Sequence, residues 1–289
     1  AKGDGISAVP AAIKAVLDGI GRGAGWVAAA DITGFFTKVP KSTVMGIIRG
    51  AIKDDDLMAL LEAAISVELA NLSELRKFAD QFPIEDIGVA QGNSLSPLLG
   101  NILLAAFDNA MNEGDCRCIR YIDDFVILAP TRKAADARLR KARRLLEEFD
   151  MELAPEKSSK QAHEVSKGFE FLGIEISAGF VRPAKRARTK FISSIDAQLD
   201  ASKNAITGLR HGHKLDPKLA LIATLKRIYG MMDGWGKHYW FCNDRHLFQT
   251  VDEKVRLAIG AYLGAYADTR SRLPEGKAHL PLGLTNLGE

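Results

Sequence analysis

Residues 116–128 constrain this chain more than any other segment. Apolar and polar residues alternate there on either side of an adjacent acidic pair, Asp123-Asp124. Period-two alternation is the signature of a half-buried strand, and turn-forming acids between two such runs mark a hairpin bend. Neighbouring strand residues point to opposite faces, but at a bend both can approach one centre. Two carboxylates held that close repel, which raises a pKa or demands a cation. Taken alone, the pair reads more readily as a solvated turn, for which Asp is a favoured residue.

Around the hairpin the pattern is α+β. Residues 7–20 place Val9, Ile13, Val16, Leu17 and Ile20 at helical spacing, and Gly21-Arg-Gly-Ala-Gly25 stops them. Residues 26–30 form an apolar run of strand length that delivers Asp31 at its C-terminal end. Pro40 and Ser42 open a helix, and two helices are predicted between residues 42 and 72. They are separated by Asp54-Asp55-Asp56, acids that suit a helix N-terminus. Pro97 opens what reads as one long helix to about Met111, with Leu98, Ile102, Ala105 and Ala106 on its core side. Thr131 caps a basic amphipathic helix reaching Phe149. Residues 168–177 alternate as one strand, the clearest in the chain, paired with 179–181. Beyond Pro183 the pattern is helical, at about 189–203, 217–234 and 244–266, with Trp235, Tyr239 and Trp240 read as core.

Composition closes off several classes. An apolar fraction of 47% and a charged fraction of 26% are ordinary for a globular protein. No window approaches the ~18 uninterrupted apolar residues of a membrane span. The first residues lack a signal-peptide pattern and an initiator Met, so the sequence is compatible with a start inside a longer protein. Three cysteines, Cys116, Cys118 and Cys242, give no disulfide framework and no zinc cluster, which fits a reducing, cytoplasmic setting. Residues 181–289 hold 18 Lys and Arg against 10 Asp and Glu, or +8, whereas the first 180 hold 21 against 26, or −5. An acidic front and basic back suit a metal-dependent enzyme acting on a polyanion, and equally suit ordinary solvated helix faces.

Three polar signals fall in one order: Asp31 at a strand end, Gln91-Gly-Asn-Ser-Leu-Ser-Pro97 opening a helix, and Tyr121-Ile-Asp-Asp124 at a bend. Phe169-Glu-Phe-Leu-Gly173 follows as a fourth. With Asp31 brought in from another strand, three hard oxygen donors converge. Such an incomplete cage suits Mg²⁺, which completes its octahedron with water and phosphate oxygens. Two such ions ~3.5–4 Å apart would stabilise the attacking and leaving oxygens of an in-line phosphoryl transfer.

In order and approximate spacing these segments resemble the palm motifs of reverse transcriptases. Asp31-Ile-Thr-Gly-Phe-Phe36, Gln91-Gly with Leu95-Ser-Pro-Leu-Leu-Gly-Asn101, and Arg120-Tyr-Ile-Asp-Asp-Phe-Val126 are similar to the group II intron-like bacterial branch, in a free-standing or domesticated form. The likeness spans about residues 3–181 and extends weakly to Gly234-Trp-Gly-Lys-His-Tyr-Trp240. It implies a right-hand polymerase palm (an antiparallel sheet with packed helices) over residues 31–182 and an α-helical thumb over 183–289. Residues 1–30 would be a remnant of the fingers–palm junction, with the fingers largely absent from the given chain.

The same resemblance implies an RNA-directed DNA polymerase, also able to copy DNA, that extends a primer 3′-OH with dNTPs using two Mg²⁺ or Mn²⁺ ions. Asp31, Asp123 and Asp124 match the metal-binding acids, with the Ile32 backbone beside them. Phe36 matches the side chain that blocks a ribose 2′-OH, the alternative being a core aromatic. The backbone at Ile32, Gly34 and Phe35 would lie near the triphosphate. Gln91 and Gly92 match the loop that meets nucleotide and template, where an amide bonds sugar or base without imposing sequence. Ser96-Pro97 doubles as a plain helix start. Lys157 matches a lysine near the leaving pyrophosphate, a place where a cation neutralises charge or donates a proton, and also reads as a surface loop lysine. Tyr121, Ile122, Phe171, Leu172 and Gly173 would meet the primer end, and Lys185, Arg186, Arg188 and Lys190 the primer–template phosphates.

Ile122 departs from the Ala usual in intron-encoded members. A β-branched side chain there would crowd the primer terminus, which favours a role in DNA repair, end joining or gap filling. An antiphage-defence or CRISPR-linked enzyme, and a maturase-like protein binding structured RNA, are the alternatives. The expected partners are a primed RNA or DNA template and a dNTP, with no membrane, and the oligomeric state is left open, a dimer included.

Overall fold

In the computed structural model, which describes residues 8–66, 86–90 and 92–284, the first strand is a short apolar run fenced by glycines. Strand β1 (Trp26–Asp31) follows helix α1 (Ala8–Gly21) and ends on the first acid. A single helical turn, α2 (Phe35–Lys38), comes next, then α3 (Lys41–Ala51) and α4 (Asp55–Ile65). Asp54 caps α4, its carboxylate accepting the Leu57 N–H at 2.9 Å, so the acidic run starts a helix as its charge favours.

The expected long helix from Pro97 is two helices, α5 (Ser96–Leu103) and α6 (Ala105–Met111), broken at Leu104, whose φ of −90° and ψ of 10° leave the helical region. The break also changes the buried face. Leu99, Leu103, Leu104, Phe107 and Met111 are in the core, whereas Leu98, Ala105 and Ala106 are exposed and Ile102 is half-buried. An unbroken 3.6-residue period therefore misassigned the core side.

Strands β2 (Arg117–Tyr121) and β3 (Asp124–Ala129) form the hairpin around the acidic pair, and α7 (Arg132–Glu147) follows, capped by Thr131. Helix α7 buries Ala135, Leu139, Ala142 and Leu146, one stripe of an otherwise basic helix. With β4 (His163–Glu164) these strands make an antiparallel sheet in the order β2-β3-β1-β4. Phe125 to Ala129 are all fully buried, because β3 lies between two strands and is covered on both faces. Helix α7 packs on β1 and β3, and α1 packs on β2 and β3, where Gly19 meets Leu128. Strand β5 (Phe169–Phe171) completes this unit, Ala1–Leu172.

The single strand expected over 168–177 is interrupted. Leu172 and Gly173 both take positive φ, 53° and 73°, which turns the chain between β5 and β6 (Ile174–Ser177). Gly supplies that conformation readily, but a Leu in it carries no sequence signal.

The second unit, Gly173–Glu289, starts with β6 and β7 (Phe180–Pro183), an antiparallel hairpin. Helices α8 (Lys185–Gly208), α9 (Leu221–His238) and α10 (Arg245–Ser271) follow; α8 and α10 are longer than the periodicity indicates, and α9 keeps the expected length but lies four residues further along. Ile195, Ile228 and Val255 sit at the centre of their common core. Trp235 stacks on Phe191 with ring centroids 4.7 Å apart, and Tyr239 is buried beside it. Trp240 is 66% exposed, so the expectation of a core residue fails there: α9 ends at His238 and the indole falls beyond the packed stripe.

Candidate active site

Register in the first unit brings the acids together. Strands β1 and β3 run antiparallel, and the last pair in their ladder is Asp31 opposite Asp124. Like charges directly opposed across strands are unfavourable, so this pairing costs stability unless a cation intervenes. The turn between β2 and β3 is Ile122-Asp123, with Ile122 at φ 62°, a conformation that β-branched residues rarely take. The Ile32 N–H donates to the Asp123 carbonyl at 3.0 Å, which ties the segment after β1 to this turn.

Burial raises the Asp124 carboxyl to about 6, with the nearby Asp31 charge adding to the effect. Asp123 is raised too, first by burial, with the Asp31 charge acting in the same direction. Lys157 sits on Asp31, Nζ to Oδ2 at 3.2 Å, with the lysine side chain 69% exposed and the aspartate 18%. Among the described residues, no three His, Cys, Asp or Glu side chains are drawn tightly enough to form a ready-made metal cage. The donor chemistry nevertheless fits a hard divalent ion: three carboxylates at adjacent backbone positions, two held above their ordinary pKa by burial and mutual charge.

The segment after β1 separates Phe35 from Phe36. Phe35 is buried and packs on Gly100, where an added Cβ would lie 2.5 Å from its ring. Phe36 is only half-buried, its ring 5.4 Å from that of Phe35. Ile32 is buried as a side chain, and Gly34 at φ 57° starts α2. Gly92 is exposed at φ 86° with open space where a Cβ would stand. Gln91 lies outside the described residues. Helix α5 begins at Ser96 as its sequence suggests, but the local turn is held by the Asn93 side chain, which accepts the Leu95 N–H, while the Ser96 hydroxyl donates to the Ala90 carbonyl.

Tyr121 and Ile122 are half-buried beside the acids, and Phe171 is fully buried. The Leu172 N–H bonds the Asp124 carboxylate and opposes the rise in its pKa. In the second unit, Lys185, Arg186 and Lys190 are exposed on the first turns of α8. Arg188 pairs with Glu175 at 3.5 Å, so it is already engaged within its own unit.

Sequence reasoning missed two groups of residues. The Ser158 hydroxyl accepts the Asp31 N–H and the Ser159 hydroxyl accepts the Ala29 N–H, both at 3.1 Å, so this loop holds the edge of β1 where β4 no longer pairs with it. Arg120 is bound to Asp108, Asn101 and the Ile122 carbonyl. The first group shows in sequence only as a polar run after Lys157, and the second is a long-range set with no local signature.

An antiparallel sheet with acids on two adjacent strands, packed by helices on both faces, has the architecture of a polymerase palm. Residues 14–176, more than half of the chain, match the family reverse transcriptase (RNA-dependent DNA polymerase), and the chain belongs to that family. Members of it use divalent metal ions.

Protein YkfC of Escherichia coli is 26% identical over 181 residues, covering 51% of this chain and 46% of that protein, so the chain spans less than half the length of this relative. Telomerase from Candida albicans, in complex with a TWJ fragment of telomeric RNA, is 12% identical with a TM-score of 0.45, covering 95% of this chain and 49% of that one. Apo telomerase from Candida tropicalis, truncated from its C-terminal domain, is 15% identical with a TM-score of 0.45, covering 61% and 40%. Among the described residues no helix is long and apolar enough to cross a membrane.

Proposed function

We propose that the chain is an RNA-directed DNA polymerase of the group II intron-like branch that extends a primer 3′-OH with dNTPs on RNA and on DNA templates. The observation that carries this reading is the cross-strand pairing of Asp31 with Asp124, next to Asp123 at the hairpin turn. When bound, two divalent ions supply activation of the attacking oxygen and neutralisation of the leaving pyrophosphate. Asp31, Asp123 and Asp124 would hold them, with the Ile32 carbonyl beside the set.

The protein's own part is placement. Ile32, Gly34, Phe35, Gln91 and Gly92 frame the nucleotide, and the half-buried Phe36 ring excludes a 2′-OH. Lys157, exposed beside Asp31, would offer its positive charge to the pyrophosphate. Tyr121, Ile122, Phe171, Leu172 and Gly173 seat the primer end. Residues 31–182 act as palm and 183–289 as thumb, with residues 1–30 at the fingers–palm junction. In the thumb, Lys185, Arg186, Arg188 and Lys190 are the phosphate contacts. Repair-type synthesis in the cytoplasm is the role favoured by Ile122, and Ile122→Ala should then alter primer preference.

Primer extension on RNA and DNA templates with the wild type and Asp123→Ala tests the reading. Extension by the wild type alone supports it. Binding of structured RNA without extension by the wild type would favour a maturase-like protein instead.

A further inference from the structure

Arg120 is the most heavily bonded side chain near the acidic turn. It sits two residues before Ile122 at the end of β2, with its side chain only 5% exposed. Its Nε and Nη2 donate to the two Asp108 carboxylate oxygens at 2.7 and 2.5 Å, a forked pair that fixes the plane of the guanidinium. Its Nη1 donates to Asn101 Oδ1 at 3.1 Å and to the Ile122 carbonyl at 2.7 Å. Four of its five N–H groups are thereby used. Asn101 belongs to α5, the helix that the Gly92–Ser96 loop opens, and Asp108 to α6. The guanidinium therefore ties two helices to one backbone carbonyl of the turn.

That carbonyl belongs to a strained residue. A β-branched side chain at φ 62° persists only where its surroundings over-determine it. The peptide after Ile122 leads directly into Asp123 and Asp124, so rotation of the Ile122 carbonyl swings both carboxylates. A lysine has three donors but no planar fork, so it would lose the two-point grip on Asp108 that orients the group bonding Ile122.

We propose that Arg120 is a positioning residue of the polymerisation site: its guanidinium clamps the Ile122 carbonyl, sets the aim of Asp123 and Asp124, and locks their turn to the helix that follows Gly92. The inference rests on the reading of those acids as the site's own. Arg120 touches neither substrate nor metal and acts through the turn.

The test uses the full chain with Arg120→Lys and Asp108→Asn, and Ile127→Val in the buried strand β3 as a packing control. Steady-state primer extension is normalised to active sites titrated by burst amplitude, and Mn²⁺ binding to the protein alone is followed by electron paramagnetic resonance. A displaced turn should lower kcat by about tenfold or more, leave the dNTP KM within about twofold, and weaken Mn²⁺ binding at least about threefold, with the control unchanged. If Arg120→Lys does not fold, Asp108→Asn is read by the same criteria.

Normalised kcat and Mn²⁺ affinity within about twofold of wild type would overturn the clamp, as would a loss that disappears on normalisation. A wild type that neither extends primers nor binds Mn²⁺ would instead overturn the polymerase reading beneath it.

Discussion

Lys157 Nζ lies 3.2 Å from Asp31 Oδ2, a contact across 126 residues of chain, while Asp31 stands opposite Asp124 in the sheet. The ammonium thus pairs with one of the three carboxylates. The lysine side chain is 69% exposed, so this pair is largely screened by water. Lys157→Ala should lower kcat by about 10- to 100-fold through loss of a cation at the leaving pyrophosphate, with Lys157→Arg recovering part of it. Rapid-quench primer extension measures both, and unchanged rates in the alanine variant would remove Lys157 from the reaction.

The acids also make stability depend on pH. Folding raises the Asp124 pKa from 3.8 to about 6, first through burial and then through the Asp31 charge, so the folded state binds this proton more tightly than the unfolded one. The resulting stabilisation of the metal-free protein is fully present below the unfolded value of 3.8. It is lost as pH rises through about 6. Asp124→Asn should flatten that dependence and raise the thermal midpoint of the metal-free protein at about pH 7.5, while abolishing extension. Midpoints measured from about pH 4 to 8 check the sign.

Phe36 is half-buried where Phe35 is wholly buried, so part of the Phe36 ring stays accessible to solvent. Phe36→Ala should relax discrimination against ribonucleotides by about tenfold or more with a modest loss of stability, as removal of a steric block does. Competition between a dNTP and its ribonucleotide in the extension assay gives the ratio. An unaltered ratio would return Phe36 to the core.

Gly100 admits the Phe35 ring, and an added methyl would stand 2.5 Å from it. The ring is 2% exposed and has nowhere to move. Gly100→Ala should therefore destabilise the first unit by about 1–3 kcal/mol, in spite of the better helix propensity of Ala. Urea denaturation monitored by circular dichroism would show it.

The features legible in the sequence are those with a short period. Alternation around Asp123-Asp124 gives β2, β3 and their bend, and the stripe of Ala135, Leu139, Ala142 and Leu146 gives α7 with its Thr131 cap. Periodicity alone does not reveal where a regular element is interrupted. Leu104 breaks a helix whose apolar pattern runs on, and Leu172 takes a left-handed conformation that only its glycine neighbour advertises. The acids were legible because their order along the chain resembles a known family. Arg120, Asp108 and Asn101 were not, since a clamp between three elements leaves no mark in any one of them. Trp240 shows the same limit from outside, as a large apolar residue just past a helix end has no period to follow.

The Asp31 N–H is held by the Ser158 hydroxyl, and its carbonyl accepts the Ala154 N–H at 2.8 Å. The first acid is thus anchored by chain that a ribosome delivers more than 120 residues later. During synthesis β1 can already pair with β3, but a nascent chain arrested before residue 154 would carry all three aspartates and leave the backbone N–H and carbonyl of the earliest without these two partners. The last two backbone bonds of that acid are in this way deferred until the loop after α7 has emerged.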